Sequence, residues 1–338
     1  MEALTPTLGQ AGLGRWGSNL ARNLSELVRL KWLCDSSAET LSSLAGRFPS
    51  ARLTARFEDL LEDDEIDAVV LATPVVTHAE LARKALAAGK HVFVEKPMAL
   101  TAAEAEELVE LAEARGLVLM PGHLLLYHPG VVMLKALVDS GELGEVLYVY
   151  GNRQNLGQIR QDENALGSLG AHDLSVILHL LGEEPSEVWA SGESFLKEGV
   201  EDVVFCYLRF PSGKIAHMHL PWLDPHKMRR MTVVGSQKMA VFDDMELDRK
   251  VTVYDKAAEQ PLGTYGEWRT RTGDIHSPRI PSDEPLRLEC AHFLSLVRGE
   301  GDPLEAARGG IAVVRVLEQL QRSLEYPREM LHISRGIG

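Results

Sequence analysis

The chain has 338 residues, of which 45% are hydrophobic and 25% charged, and this length and composition are typical of a globular protein with two domains. Its formal net charge of −14 argues against nucleic acid or an anionic membrane surface as the main partner, because both attract basic proteins. Three scattered cysteines predict buried thiols in a reducing compartment rather than disulfides or a metal site. Met1–Thr7 lacks a signal-peptide pattern, and proline–glycine steps interrupt the uncharged stretch Gly116–Leu134, so we expect a cytoplasmic protein without a membrane span.

The first third of the chain alternates short apolar runs with amphipathic helical patterns, which indicates βα units around a parallel sheet. The pattern predicts strands over Thr7–Ala11, Leu30–Cys34, Ala68–Ala72, His91–Val94 and Leu117–Met120. It predicts helices over Arg15–Leu27, Ala38–Arg47, Ala79–Ala88 and Ala102–Arg115. Residues 1–122 are therefore expected to form a doubly wound Rossmann domain.

After Gly122 the pattern changes, and alternating apolar and polar residues predominate for about a hundred residues. A helix is predicted over Gly130–Asp139, and strands over Glu145–Arg153, Ser186–Ser194, Asp202–Phe210, Lys214–Leu220, Met228–Val234 and Met239–Asp243. Two last helices are predicted over Pro285–Val297 and Leu304–Leu324. Residues 123–338 are therefore expected to form a second α/β domain with a large, mostly antiparallel open sheet, which ends in helices over 285–325.

A glycine-rich turn stands between the first predicted strand and helix. Gly12, Gly14 and Gly17, with Arg15 and Trp16 between them, fall where backbone must approach a pyrophosphate at a helix N-terminus. Asp35, followed by Ser36, ends the second strand, where a carboxylate can accept hydrogen bonds from the ribose hydroxyls. Because a carboxylate there repels a 2′-phosphate, we expect NAD rather than NADP. The alternative interpretation is that these residues bind no cofactor and are only a tight turn and a surface aspartate.

Polar residues also follow two buried strands of the predicted sheet, at the edge that faces the cofactor in such folds. Thr73-Pro74 and His78 follow one strand, although His78 could equally be a helix-start residue without a ligand. Glu95-Lys96-Pro97 ends the next strand. A lysine there can stabilise an alkoxide or act as a base, while the alternative is an ordinary solvated strand end.

The second domain carries a histidine and two groups of cations. His172 begins an amphipathic helix, and such a residue is usually a cap or a packing residue. The cations and nearby amides are candidate phosphate contacts in an acidic protein, although both groups could be solvated loop. These candidate substrate contacts are Arg153, Asn155, Arg160, Lys227 and Arg229.

The order of the glycine turn, Glu95-Lys96-Pro97 and His172 resembles the Gfo/Idh/MocA family of sugar and cyclitol oxidoreductases over essentially the whole chain. The resemblance implies that Lys96 and His172 are the catalytic pair. The peptide that corresponds to Lys96–Pro97 is often cis in this family, so we expect a cis bond here. The resemblance also implies a homodimer or homotetramer formed through the large sheet, and no metal. The family commonly has Asp four residues before the catalytic histidine, whereas this chain has Ser168.

The segments around Arg153–Arg160 and Trp222–Arg229 look like those of nucleotide-sugar 3-dehydrogenases, which also have Ser at this position. The resemblance implies oxidation of the C3 hydroxyl of UDP-N-acetylglucosamine by NAD, and an aminotransferase as pathway partner in lipid A or polysaccharide biosynthesis. Two alternatives remain: the same chemistry on another sugar, or a cofactor-binding regulator that has lost catalysis.

Overall fold

The computed structural model describes residues 5–44, 46–157, 159–160, 163–260 and 266–326. Residue 158, within the polar segment singled out in the sequence, and residues 327–338, at the end of the predicted second domain, lie outside the described residues. Within the described ranges, no helix combines the length and the apolar character that crossing a bilayer requires.

The first sheet has six parallel strands in the order β3-β2-β1-β4-β5-β6. The strands are β1 (Thr7–Ala11), β2 (Arg29–Cys34), β3 (Arg52–Thr54), β4 (Ala68–Leu71), β5 (His91–Glu95) and β6 (Leu119–Gly122). The helices are α1 (Arg15–Leu27), α2 (Ala38–Leu44), α3 (Glu58–Leu61), α4 (His78–Ala87) and α5 (Ala102–Arg115). The strand order reverses between β1 and β4, and in such a sheet the ligand crevice lies at this switch point, beyond the carboxyl ends of the strands.

The second sheet has eight strands in the order β14-β13-β12-β11-β7-β10-β9-β8. Two helices, α6 (Pro129–Asp139) and α7 (Ala171–Leu181), cover one face. The strands are β7 (Val146–Gln154), β8 (Glu187–Glu193), β9 (Val203–Arg209), β10 (Ile215–Pro221), β11 (Met228–Gly235), β12 (Met239–Asp243), β13 (Val251–Glu259) and β14 (Arg269–His276). Only β7 and β10 pair in parallel, so the predicted fold class is confirmed.

Three strands were not predicted from the sequence. β3 has only three residues, which is too short for a pattern of alternation. Almost every side chain of β14 is exposed, so the strand carries no buried apolar face to reveal it. In β13, Asp255 and Lys256 interrupt the alternation that begins with Val251 and Val253.

The last two helices, α8 (Pro285–Val297) and α9 (Glu305–Glu325), return to the first domain. Leu286 and Phe293 of α8 share a buried core with Leu8 of β1 and Leu20 of α1. α9 contributes Val314 to the core around β4 and β5 and Val313 to the core of the second domain. The two helices, which the sequence assigned to the second domain, therefore hold the two halves of the molecule together.

Candidate active site

The glycine turn leaves open space at the start of α1. Gly12 has φ of +88°, and a Cβ there would lie 2.4 Å from the backbone of Ala72. A Cβ on Gly17 would lie 2.1 Å from the carbonyl oxygen of Gly12, so both positions require glycine. A Cβ on Gly14 would meet nothing within 4 Å, and no side chain caps the helix. The free N–H groups of this helix end and the space beside them fit the pyrophosphate of a dinucleotide.

Asp35 lies beside the same turn, directly after β2. One carboxylate oxygen accepts a hydrogen bond from the backbone N–H of Leu13 at 2.8 Å, and the other accepts one from Ser37 at 2.9 Å. The carboxylate is thus held at the turn while each oxygen keeps further acceptor capacity. This arrangement fits the ribose of a bound NAD, with the exposed Ser36 next to it.

Lys96 follows β5 at the carboxyl edge of the first sheet, and the Lys96–Pro97 peptide is cis, as the family resemblance implies. Its Nζ donates a hydrogen bond to the carbonyl oxygen of Ser168 at 3.3 Å, in the turn that leads to His172. Burial lowers the pKa of Lys96, while the nearby carboxylates of Glu163 and Glu95 raise it. The lysine therefore reaches across the seam between the two domains.

Trp16 and Glu95 form a contact next to Lys96. The indole N–H of Trp16 donates a hydrogen bond to the carboxylate of Glu95. Burial raises the pKa of Glu95 to about 7, against the opposing effects of the Trp16 hydrogen bond and of Lys96. The contact joins the glycine turn to the residue that precedes the lysine.

The structure corrects the assignment of His78 as a cofactor contact. The ring is buried, and its two nitrogens lie 2.9 Å from the carbonyl oxygens of Pro97 and Thr73. Both nitrogens are thereby directed at backbone groups, so His78 braces the loop after β4 against the loop after β5. The Thr73 hydroxyl accepts a hydrogen bond from Thr77 at 2.8 Å, and Pro74 follows it at the crevice edge.

His172 enters the cleft from the second domain, at the start of α7. Burial lowers the pKa of His172 well below its usual value, and the positive charge of Lys96 lowers it further. The imidazole is therefore neutral at pH 7 and available as a base. Its ring makes no hydrogen bond with any described residue, so no carboxylate orients it. The structure thus brings the two predicted catalytic residues together.

Arg153, which the sequence analysis named as a candidate phosphate contact, is buried. It is 7% exposed, and its Nε donates a hydrogen bond at 2.6 Å to Asp173, which is 2% exposed. Asp173 directly follows His172 at the start of α7. The guanidinium is engaged with a buried carboxylate, so Arg153 supports the start of α7 through Asp173.

The other predicted phosphate contacts lie nearer to solvent. Arg160 forms an ion pair with Glu163 at 2.6 Å, and Arg229 forms one with Asp244 at 3.2 Å. Lys227 is exposed and has no ion pair within the described part of the chain. Asn155 is partly exposed just after β7. Lys227 is therefore the cation with the fewest competing partners.

His123 is a site residue that the sequence analysis missed. It directly follows β6, and its ring is buried with no hydrogen-bond partner for Nε2 among the described residues. Burial and the positive charge of Lys96 lower its pKa to about 4. A lone histidine among apolar residues gives no signal in one sequence. The signal lies in the register of the sheet, where Gly122 pairs with Glu95 and so places His123 beside Lys96.

Comparison with known proteins agrees with this geometry. Two protein-family profiles match the chain: an oxidoreductase family with an NAD-binding Rossmann fold over residues 8–123, and the GFO/IDH/MocA C-terminal domain over residues 131–241. A solved structure from Magnetospirillum magnetotacticum is 31% identical, with a TM-score of 0.80, over 94% of this chain and 100% of that one. The chain therefore belongs to the Gfo/Idh/MocA oxidoreductase family, and its first domain binds NAD.

Two relatives illustrate the range of activities in this comparison. The UDP-N-acetylglucosamine 3-dehydrogenase of Acidithiobacillus ferrooxidans is 28% identical over 76% of this chain and 80% of its own length. Its structure superposes with a TM-score of 0.80 at 25% identity, over 95% of this chain and 98% of that one. The 2,7-anhydro-N-acetylneuraminate hydratase of Escherichia coli is 30% identical over 62% of this chain. The chain spans 59 to 64% of the length of the first curated relatives that it matches.

Proposed function

We propose that this protein is an NAD-dependent sugar oxidoreductase that oxidises the C3 hydroxyl of UDP-N-acetylglucosamine to the 3-keto sugar. The observation that carries the proposal is the meeting of Lys96 and a neutral His172 at the seam between the NAD-binding domain and the large sheet. One hydroxyl in this cleft can contact both side chains. The oxidation removes a proton from the hydroxyl oxygen and a hydride from the carbon that bears it, and such a pair beside the cofactor serves the proton transfer.

The first domain binds and orients the cofactor. The N-terminus of α1 and the open space at Gly14 receive the pyrophosphate, and Asp35 receives the ribose hydroxyls. When bound, NAD supplies the acceptor for the hydride that leaves the sugar carbon. The hydrogen bond from Trp16 to Glu95 links the glycine turn to the segment that carries Lys96.

The two catalytic side chains divide the proton transfer and the charge stabilisation. Either His172 or Lys96 takes the hydroxyl proton, and the other steadies the oxyanion by a charge-assisted hydrogen bond. The neutral state of His172 favours it as the acceptor of the proton. Lys96, held by the carbonyl of Ser168, then remains directed at the oxygen.

The proposal of a nucleotide sugar rests on exposed cations at the edge of the second domain. Lys227 has no competing carboxylate among the described residues, while the half-exposed Arg229 and Arg160 are each paired with a partly buried carboxylate. A diphosphate with two charges can draw such side chains away from weak surface ion pairs. The similarity to the Acidithiobacillus enzyme adds support for UDP-N-acetylglucosamine, and a 3-keto sugar is suited to a following aminotransferase.

A panel of UDP-sugars and free sugars, followed by NADH absorbance, tests the substrate. We expect UDP-N-acetylglucosamine to give the highest kcat/KM, and Lys227→Ala to raise its KM while NAD affinity stays unchanged. His226→Ala, next to Lys227 on the same exposed loop, is the matched control. Turnover of a free sugar with unchanged KM in Lys227→Ala would instead support the second candidate, the same oxidation on a sugar without a diphosphate. That candidate is favoured by the buried Arg153, which removes one expected phosphate contact.

We further propose that the uncovered face of the large sheet joins subunits into a homodimer or homotetramer. This face carries two ring stacks, Tyr150 with His217 at 5.1 Å and Phe205 with His219 at 4.6 Å between centroids. Phe205 is 50% exposed in the single chain. Light scattering of the wild type and of Phe205→Asp checks this, since the charged variant should dissociate while Glu198→Ala should not.

A further inference from the structure

A cavity of about 600 Å³ lies in the seam between the domains. The end of β6, the turn after it, and helices α7, α8 and α9 form its wall. The polar side chains that line it include His123, Tyr127, Ser175, His179, His292 and Glu305. Ser175 and His179 follow His172 at three and seven residues, so they share one face of α7 with the catalytic histidine. The cavity therefore extends from the catalytic end of this helix towards its C-terminus.

His123 stands at the end of this cavity nearest to the catalytic pair. The register of the first sheet places it beside Lys96, and it also lowers the pKa of His172 by its proximity. Its Nε2 is buried and has no hydrogen-bond partner among the described residues. A buried polar atom without a partner is costly, so its presence here calls for a physical explanation. Its position next to two proton-handling groups supplies one.

The proposed oxidation releases one proton for each hydroxyl that is oxidised. The cofactor at the glycine turn and the sugar in the cleft together cover Lys96 and His172 from the front, which excludes bulk water. The proton must still reach solvent before the next turnover. The cavity on the far side of His123 offers space for that water, since its lining is rich in polar groups.

We propose that His123 passes the proton from the catalytic pair to water in this cavity. The inference rests on the proposed oxidoreductase function. The N–H or N⁺–H bond of protonated His172 or Lys96 breaks, and a new N–H bond forms at Nε2 of His123. The N–H bond at Nδ1 breaks in turn, and its proton goes to a cavity water. The imidazole ends neutral, no electrons are transferred, and ring rotation restores the first tautomer.

The charges around His123 agree with this role. Lys96 faces it from the end of β5, and His172 faces it from α7. Further along the cavity lie Tyr127, whose hydroxyl is 2.7 Å from Nδ1 of His292 on α8, and His179 on α7. Glu183, Glu184 and Glu305 line the part farther from the pair. Glu183 and Glu184 form ion pairs with Lys214 and Arg315, so Glu305 is the one of the three without a cationic partner among the described residues. A carboxylate in this position favours the movement of a proton away from Lys96.

The first experiment needs no substrate and is a histidine NMR titration of the full-length protein. We expect the pKa of His123 to rise in Lys96→Met, because the lysine charge that lowers it is removed. The pKa of His217, which burial and His219 lower on the uncovered face of the large sheet, should stay unchanged. An unaltered pKa of His123 in Lys96→Met would show that the two groups do not communicate and would overturn the proposal. If no sugar is oxidised by the wild type, the proposed function fails, while this titration still decides the coupling.

The second experiment measures turnover and its rescue by a small base. His123→Ala should lower kcat at least about tenfold, and added imidazole should restore it by replacing the lost ring. His276→Ala is the control, because it removes an exposed imidazole of β14 that lies outside the cavity, and its kcat should stay near the wild-type value. A His123→Ala enzyme with wild-type kcat, or one that imidazole leaves unchanged, contradicts the relay.

A third variant narrows the cavity without changing a titratable group. A Cβ on Gly309 of α9 meets nothing within 4 Å, so Gly309→Leu projects into the cavity without a backbone clash. It should lower kcat and leave the KM for NAD unchanged. Gln319→Leu, exposed on the same helix, is the control. Full activity in Gly309→Leu would show that water in the cavity is not needed.

Discussion

The indole N–H of Trp222 donates a hydrogen bond to the hydroxyl of Ser168 at 2.9 Å, so the side chain four residues before His172 is directed at a tryptophan. Trp222 is 3% exposed and lies at the end of β10. Ser168 therefore helps to fix the turn before α7. The backbone carbonyl of the same residue binds Lys96, so Ser168 acts through the position of its main chain.

This contact predicts a small effect of Ser168→Ala. Removal of one hydrogen bond costs about 0.5–1.5 kcal/mol, and the carbonyl that binds Lys96 remains, so kcat should fall less than about tenfold. Trp222→Phe, which removes the other partner of the same bond, should behave alike. Steady-state kinetics of both variants check this. A loss as deep as that of His172→Ala would mean that the hydroxyl itself takes part in catalysis.

Substitution of either proposed catalytic residue should lower kcat much more than Ser168→Ala does. Lys96→Met and His172→Ala should each lower kcat by about 10²–10⁴ while NAD still binds. The double variant should lose less than the product of both, because the two residues act as a unit. Substrate deuterated at C3 should yield deuterated NADH. Deuterium retained on the sugar, or near-normal turnover of His172→Ala, would refute the mechanism.

The lowered pKa of His172 predicts the pH dependence of the reaction. A base must be neutral to accept a proton, so kcat/KM falls as the pH drops through its pKa, and this fall should lie well below about pH 6.5. The residual activity of Lys96→Met should fall at a higher pH, because one positive charge that lowers the pKa is absent. The pH profile of kcat/KM for both enzymes tests this. An acidic limb near pH 6.5 in the wild type would contradict it.

Asp35 predicts the choice of cofactor. Asp35→Ala should narrow the gap between NAD and NADP, since it removes both the ribose hydrogen bonds and the repulsion of a 2′-phosphate. Asp35→Asn is the informative comparison, because it keeps a hydrogen-bond acceptor for the N–H of Leu13 but lacks the charge. Dissociation constants for both cofactors are measured. A wild type that prefers NADP would refute this role.

The buried Arg153–Asp173 ion pair predicts that the substitution of Arg153 destabilises the fold. Arg153→Ala leaves a buried carboxylate uncompensated and should lower the free energy of unfolding by about 3–5 kcal/mol. Arg160→Ala, which breaks a more exposed ion pair, should cost less than about 1 kcal/mol. Urea denaturation compares the two. If both variants lost the same free energy of unfolding, the burial of the Arg153–Asp173 pair would not add to its contribution.

Much of the first domain was predictable because its signals are local. The strand β1, the helix α1 and the helix α5 have the predicted ends, since a buried apolar run, the glycine turn and a Thr101–Glu104 capping box mark them directly. The strand β14 gave no such signal because its side chains face water. The parallel pairing of β7 and β10 could not be predicted, because the sequence of a single strand does not indicate which strand it pairs with.

The site residues that stand in recognisable sequence segments were predictable. Those whose role depends on tertiary packing were not. Lys96 and His172 stand in recognisable segments, whereas His123 acquires its place only when β6 lies beside β5. The two possible roles of His78 could be separated only by the carbonyls that surround its ring. The burial of Arg153 could likewise not be predicted, because it depends on the contact with Asp173, which lies twenty residues further along the chain.

The return of α8 to the first domain has a consequence for biosynthesis. Phe293 packs edge-on against Phe93 of β5 with ring centroids 5.6 Å apart, so the core of the NAD-binding half is completed by residues near the end of the chain. A ribosome must release the chain as far as Phe293 before this core can close. The apolar face of α1 and β1 therefore stays uncovered until α8 has been synthesised, and exposed apolar surface of this kind is prone to aggregate.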